Sequence, residues 1–248
     1  MSKFELHCLY WDNANPEMVQ LHRDCLSYLG VELTYTNKTV GHGLWLDRLA
    51  RGRLDDLDAI GFIDIDCLPH SAAAVAAAFD HAIAAGSFIG LAQAANHITP
   101  PLPVYAAPAF LVISRDAFRK LGRPNLRSRG RLDVAQDLSR TADARGFPYR
   151  VLYPIGFNRS PEGGPWRLGN YGWYGIGTEY NGGFFHLFES RFTTSLDLFR
   201  AKAEAIMAGA KQLSSAPISS VDLTFAGSRS AATGNGSYGA IRQLLRRI

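Results

Sequence analysis

The stretch Asp58-Ala-Ile-Gly-Phe-Ile-Asp-Ile-Asp-Cys-Leu-Pro69 constrains this chain more than any other. Its run from Ala59 to Ile65 is short, apolar and rich in β-branched and aromatic side chains. That is the pattern of a buried strand in a parallel sheet with helices on both faces. The run ends on charge. Two carboxylates with one residue between them on an extended chain point the same way, about 6 to 7 Å apart. Leaving both ionised at the end of a buried strand is costly unless a cation or an array of donors meets them. Ligands of open α/β sheets bind outside the carboxyl ends of strands, where Asp64 and Asp66 fall. The competing reading makes them caps of a helix beginning near His70 or Ser71, but a cap needs one acceptor, not two. Asp64 and Asp66 are therefore the candidate metal ligands.

The neighbouring segments extend the same architecture. Phe4 to Tyr10 reads as a first strand, and the polar turn Trp11-Asp-Asn-Ala-Asn-Pro16 suits a ligand loop. Pro16 opens a helix through about Leu29, stopped by Gly30, and Val31 to Thr36 is a second strand. This β-α-β opening, repeated at Ala59 to Ile65, predicts a parallel sheet with right-handed crossovers. A chain of 248 residues with 47% hydrophobic and 19% charged residues buries a sizeable core without staples. Residues 1–212 read as one α/β domain, and 213–248 as a flexible Ser/Gly-rich tail closing on a short basic helix at Ile241 to Ile248.

Composition excludes several classes. The net charge of +4 permits attraction to phosphates without requiring it. Cys8, Cys25 and Cys67 are odd in number, widely spaced and set among apolar residues. They read as reduced core thiols rather than a disulfide framework or a zinc site. The N-terminus enters a strand pattern without a signal peptide, and no stretch approaches a membrane span. The expectation is a soluble, cytoplasmic protein without integral membrane association.

Further candidates lie along the chain. Gly41-His-Gly43 precedes a helix from Leu44 to Leu49 that carries Arg48, with Arg51 and Arg53 beyond it. A glycine-bounded helix start with arginines suits phosphate, and a solvated basic surface explains them equally. Helices are expected at Ser71 to Ala85 and Arg115 to Leu121, with strands at Ser87 to Leu91 and within Val104 to Ser114. Gln93, Asn96 and His97 crowd a loop, where His97 is a minor ligand candidate. Leu132 to about Ala144 reads as a helix with Asp133 in its first turn, as an anion favoured by the dipole or as a cap. Tyr149 to Tyr153 is a strand. From Gly156 to Gly183 the chain carries nine glycines interleaved with Trp166, Tyr171, Trp173, Tyr174 and Tyr180. That composition suits a long functional loop, a lid with faces for stacking on sugars or bases. Phe184 to Arg191 then reads as an apolar strand whose His186, taken alone, is a core residue, and Ser195 to about Ala208 as an amphipathic helix.

Taken in this order, the pieces resemble the GT-A class of nucleotide-sugar glycosyltransferases. Phe62-Ile-Asp-Ile-Asp-Cys-Leu-Pro69 resembles its Asp-x-Asp motif, and Pro108 to Gly122 its acceptor-side strand and helix. His186 with Ser190 and Arg191 is similar to a late His-x-x-x-Ser-Arg segment that brings a third metal ligand. The resemblance implies a Rossmann-like, mostly parallel central sheet and Mn2+ or Mg2+ held by Asp64, Asp66 and His186 against a nucleotide-sugar diphosphate, with UDP- or GDP-sugars as the donors expected. Arg48 and Arg191 would share the diphosphate charge, and Tyr10 and Asp12 would contact the nucleotide. An inverting member needs a carboxylate base, here Asp133 with Asp137 in reserve, although Leu132 stands where many members carry a glutamate. The acceptor expected is a soluble saccharide or metabolite, or modified bases of DNA as in phage-type enzymes. Two other readings remain, a nucleotidyltransferase and a non-enzymatic sugar- or nucleic-acid-binding module. The first is weakened because Trp11 to Pro16 lacks the glycine-rich phosphate loop.

Overall fold

In the computed structural model, which describes residues 2–95, 103–158, 164–190 and 193–209, strand β1 (Phe4–Tyr10) and helix α1 (Pro16–Tyr28) open the chain. The local causes are legible. Asn15 caps α1 by accepting from the backbone N–H groups of Glu17 and Met18, and Pro16 supplies the helical φ at its first position. Gly30, at φ 69°, turns the chain out of α1. Strand β2 (Thr34–Asn37), helix α2 (His42–Arg53) and strand β3 (Ala59–Ile63) complete the first repeat.

The central sheet has six strands in the order β2-β1-β3-β6-β5-β7, with β5 at Phe88–Gln93, β6 at Tyr105–Ser114 and β7 at Arg150–Leu152. The pairs β1–β2, β1–β3 and β5–β7 are parallel, whereas β6 runs antiparallel to both β3 and β5. The mostly parallel α/β sheet expected from the sequence is thus present, with one reversed strand. Pro108 is tolerated inside buried β6 because the β5–β6 register shifts there, between Gly90 and Leu91.

Helices cover both faces. Ile60 and Phe62 of β3 pack with Leu46 and Ala50 of α2, Phe118 of α4 (Arg115–Lys120) and Leu138 of α5 (Gln136–Arg145). Ala59 and Ile63 face the other way, toward Val75, Ala78 and Phe79 of α3 (Ala72–Ala84). Each fully buried Leu, Ile or Phe in these layers contributes about 1.5 to 3 kcal/mol. Gly61 lets α3 lie close on β3, since a Cβ there would come within 2.6 Å of the Phe79 ring.

Beyond β3 the chain changes sheet. Strand β4 (Cys67–Pro69) joins an antiparallel sheet of order β4-β12-β11-β8, with β8 at Pro154–Asn158, β11 at Gly177–Tyr180 and β12 at Phe184–Leu187. A small hairpin of β9 (Trp166–Arg167) and β10 (Trp173–Tyr174) lies between β8 and β11 in the chain. The Gly156 to Gly183 stretch, expected as one long loop, therefore contributes strands to two sheets in its described part. Helix α6 (Thr193–Met207) packs Phe199, Ala203 and Ile206 against Met18, Cys25 and Leu26 of α1. The three cysteines are free and buried, as expected. Among the described residues no helix is long and apolar enough to cross a membrane. The tail expected from residue 213 lies outside the described residues, as do Asn96 and His97.

Candidate active site

Asp64, Ile65 and Asp66 form the turn between the two sheets. The Asp64 N–H still donates to Ala109 O at 2.9 Å, as β3 does to β6, while Asp64 O accepts from Cys67 N at 3.0 Å and closes the turn. Asp66 O accepts from Leu187 N at 2.9 Å and so ties the turn to β12. Neither aspartate caps α3, because Ser71 does so by accepting from Ala74 N. The helix-cap reading of the pair is removed.

The register of β12 against β4 pairs His186 with Cys67 and delivers its imidazole to the turn. Ligand atoms of Asp64, Asp66 and His186 all lie within 4.8 Å of one another. His186 Nε2 is 3.3 Å from Asp66 Oδ1, and the Phe188 ring packs on the imidazole at 4.1 Å. Burial opposes ionisation of Asp66, but His186 and the Ser190 hydroxyl outweigh it and hold the carboxyl below its usual range. A carboxylate is therefore present at neutral pH.

A residue absent from the sequence-level candidates completes the cluster. His42 is the first residue of α2, and its Nε2 lies 3.2 Å from Asp64 Oδ1. Burial and the helix N-terminus disfavour its cation, yet Asp64, then Asp66 and Asp133, raise its pKa above the ordinary value. The only local signal was an imidazole between two glycines. Gly43 is required there because a Cβ would meet the backbone of Leu126 and Arg127 at 2.8 Å.

Asp64, Asp66 and His42 line a cleft of about 490 Å³ with Tyr10, Trp11, Asn13 and Ser190 among its walls. Trp11 is 40% exposed, and its ring is pinned at the mouth by Nε1 donating to Val40 O at 3.0 Å. Arg23 donates to the Tyr10 hydroxyl at 3.2 Å and lies over the Tyr35 ring. Tyr10 is thus at the cleft. Asp12 is not: it is exposed in the same turn and outside the lining, since Trp11, Asn13 and Ala14 take the inward positions.

Three other candidates are placed differently from the sequence reading. Arg48 is exposed on α2 and lines neither described cleft, while Arg51 and Arg53 are engaged by Asp47 and Glu5. Asp133 precedes α5, which begins at Gln136 rather than Leu132. Its carboxylate accepts from Tyr105 OH at 3.0 Å and Val134 N at 2.7 Å, and its own N–H donates to Gln136 Oε1. Its charge acts on His42, and both Asp133 and Asp64 act on the buried Tyr105, while Asp133 is not among the described lining residues of the cleft. Asp137 is buried on another cleft, held by Arg129 and Arg140, and is not brought to Asp64. Arg191 lies outside the described residues.

The donor set of two carboxylates and one imidazole fits a divalent cation, and the nitrogen suits Mn2+ better than Mg2+, which prefers oxygen alone. His186 Nδ1 is buried without a partner among the described residues, so the ring is not fixed by a second hydrogen bond.

No protein-family model matches the chain, and no curated protein matches it. Similar solved structures include the catalytic domain of Drosophila beta1,4galactosyltransferase 7 in complex with xylobiose, at 15% identity, covering 81% of this chain and 80% of that one with a TM-score of 0.38. A197 from STIV is 14% identical over 56% of this chain and 76% of its own, TM-score 0.37. A glycosyltransferase involved in the glycosylation of the major capsid of PBCV-1 is 12% identical over 47% and 62%, TM-score 0.28. Likeness at this distance carries no argument about activity.

Proposed function

We propose that the protein is a metal-dependent glycosyltransferase that moves a sugar from a nucleotide-sugar, a UDP- or GDP-sugar, to an acceptor hydroxyl. The observation that carries the reading is the Asp64, Asp66 and His186 cluster, whose two aspartates line the 490 Å³ cleft. Among the described lining residues there is no arginine or lysine. A diphosphate meeting two carboxylates there is repelled unless a divalent cation intervenes. Asp64, Asp66 and His186 would hold that cation, which when bound offsets charge building on the leaving diphosphate.

The remaining roles belong to the chain's own groups. Trp11 offers a flat, fixed face for a nucleobase beside Tyr10. His42 donates toward Asp64 and keeps its carboxylate oriented. Asp133, oriented by the Tyr105 hydroxyl, is the base that takes the acceptor's proton, which corresponds to inversion at the sugar carbon. A soluble saccharide is the acceptor class proposed. Titration calorimetry with Mn2+ and a panel of nucleotide-sugars tests the reading. Nucleotide binding that requires Mn2+ and disappears with EDTA is expected; nucleotide binding indifferent to EDTA would remove it.

A further inference from the structure

A second cleft, of about 420 Å³, is lined by Arg51, Arg123, Arg129, Arg140 and Arg145. We propose that this cleft binds the phosphodiester backbone of a nucleic-acid strand. Four of these arginines are set in place by carboxylates rather than left loose. Arg129 and Arg140 both reach the buried carboxylate of Asp137, through Nη2 at 2.7 Å and Nε at 2.8 Å. Arg51 donates to Asp47 at 3.0 Å, and Arg123 to Asp55 at 2.7 Å. Arg145 is fixed by a main-chain carbonyl, Lys120 O, at 2.8 Å.

This arrangement leaves charge and donors over. Four guanidiniums in the lining share three carboxylates and Arg145 is held by a carbonyl, so five positive charges stand against three negative, an excess of two. Arg119 joins Asp55 and Arg127 joins Asp47, which takes the ratio to seven against three. A guanidinium has five N–H donors, and the hydrogen bonds described for Arg123, Arg129 and Arg145 each use one terminal nitrogen. The side chains of Arg123, Arg129 and Arg140 remain 41%, 53% and 44% exposed, so those donors meet solvent at the cleft.

The anchoring of the heads decides the ligand class. The holding carboxylates come from α2, from the turn after it and from α5, so the guanidiniums are anchored on three separate segments rather than on one shared acceptor. A lone phosphate is best met by converging donors, whereas a repeating row of diester anions suits separated forks. An acidic peptide offers the heads only carboxylates, which they already have. Arg51 lies nine residues along α2 from His42, about 14 Å at the helical rise. That distance is about four steps of a duplex strand. Where the glycosyl-transfer reading holds, on which this last step rests, a strand seated here also passes near the Asp64 cleft.

The test is fluorescence anisotropy of a labelled 20-nucleotide single strand with the full chain across roughly 50 to 200 mM salt. Affinity should fall steeply with salt. In R129Q/R140Q it should drop roughly ten-fold, and the slope of log affinity against log salt should shrink by about 1.4. Should that double variant fail to fold by circular dichroism, Arg145→Gln, which frees only a carbonyl, should shrink the slope by about 0.7. Binding that neither variant changes, or that inorganic phosphate or polyglutamate displaces at equal anion concentration, overturns the proposal. Failure of the transferase reading appears separately, as absent manganese-dependent donor hydrolysis by the wild-type chain, and leaves the strand-binding result standing.

Discussion

At one end of α2 the carboxylates of Asp64 and Asp66 face two imidazoles, with no arginine or lysine among the described lining residues. Farther along the same helix five arginines surround three carboxylates. In both places charge is concentrated where a fold alone would not put it, but the balance differs. The acidic cleft has no arginine or lysine among its described lining residues and has the chemistry of a metal site. The basic cleft neutralises part of itself, so its carboxylates are structural and only the excess of guanidinium is available to a ligand. Comparable clusters of charge thus separate into ligand-binding and framework roles by asking which charges already have a fixed partner.

Asp66→Ala gives the largest expected effect and the sharpest form of this comparison. Manganese-dependent donor hydrolysis should fall at least about a thousand-fold, the range lost when charge stabilisation at a leaving group is removed. Circular dichroism should stay that of the wild-type chain, because β4 is held through backbone pairing with β12. A variant that hydrolyses donor normally would end the metal reading of the acidic cleft.

Acid should damage the two ends of α2 unequally. His22, fully buried behind the acidic cleft with Nδ1 2.8 Å from Tyr35 OH, has its pKa pushed down by burial from 6.5 to about 4. Above pH 6.5 the ring is neutral folded or unfolded, and its neutrality carries no penalty. As pH falls from 6.5 toward 4 the unfolded chain takes up the proton first, so stability is lost through that window, by about 3 kcal/mol in all. The arginine cleft has no histidine in its described lining. Urea midpoints measured from pH 7 to pH 4 should fall in the wild-type chain and fall less in His22→Gln; equal slopes would assign the acid sensitivity elsewhere.

Asp137→Asn tests the framework side. The buried carboxylate is the shared acceptor of Arg129 and Arg140, and an amide keeps its shape while removing its charge. With both arginines about half exposed, their charges rehydrate, so the cost should be about 2 kcal/mol rather than the larger penalty of a buried pair. Thermal unfolding measures it, and an unchanged Tm would mean the carboxylate does not hold the cleft.

The same contrast explains what was legible in the sequence. The bounds of β1 and α1, marked by Pro16 and Gly30, and the aspartate pair after β3 rest on local chemistry and read directly. His186 needed the late motif as well, because its imidazole reaches Asp66 only through the pairing of β12 with β4 across more than a hundred residues. His42 was missed for the same reason: nothing beside it in the chain announces Asp64. Asp133 and Asp137 were both candidate bases by the family resemblance, from their place at the expected start of a helix. The left-handed Ala135, at φ 61°, delays the helix to Gln136 and sends the two side chains to different partners. The glycine-rich aromatic stretch hid strands because its sheet is assembled from distant segments that lack strong alternation.

The smallest effect expected concerns how Asp133 is oriented beside the acidic cleft. Tyr105 is buried in β6 and donates its hydroxyl to Asp133 Oδ2 at 3.0 Å, while Val134 N fixes the other oxygen at 2.7 Å. Tyr105→Phe removes one of these two donors and keeps the ring in its packing. A neutral hydrogen bond is worth about 1 kcal/mol, which corresponds to a loss in kcat of about five-fold. The donor KM should not move, since Tyr105 lies outside the described lining of the donor cleft. Placing Tyr105→Phe in an Asp133→Asn background should cost almost nothing further, because a residue acting through another loses its effect when that other is gone. Full additivity of the two substitutions would detach Tyr105 from Asp133, and a rise in KM with unchanged kcat would make the tyrosine a binding contact instead.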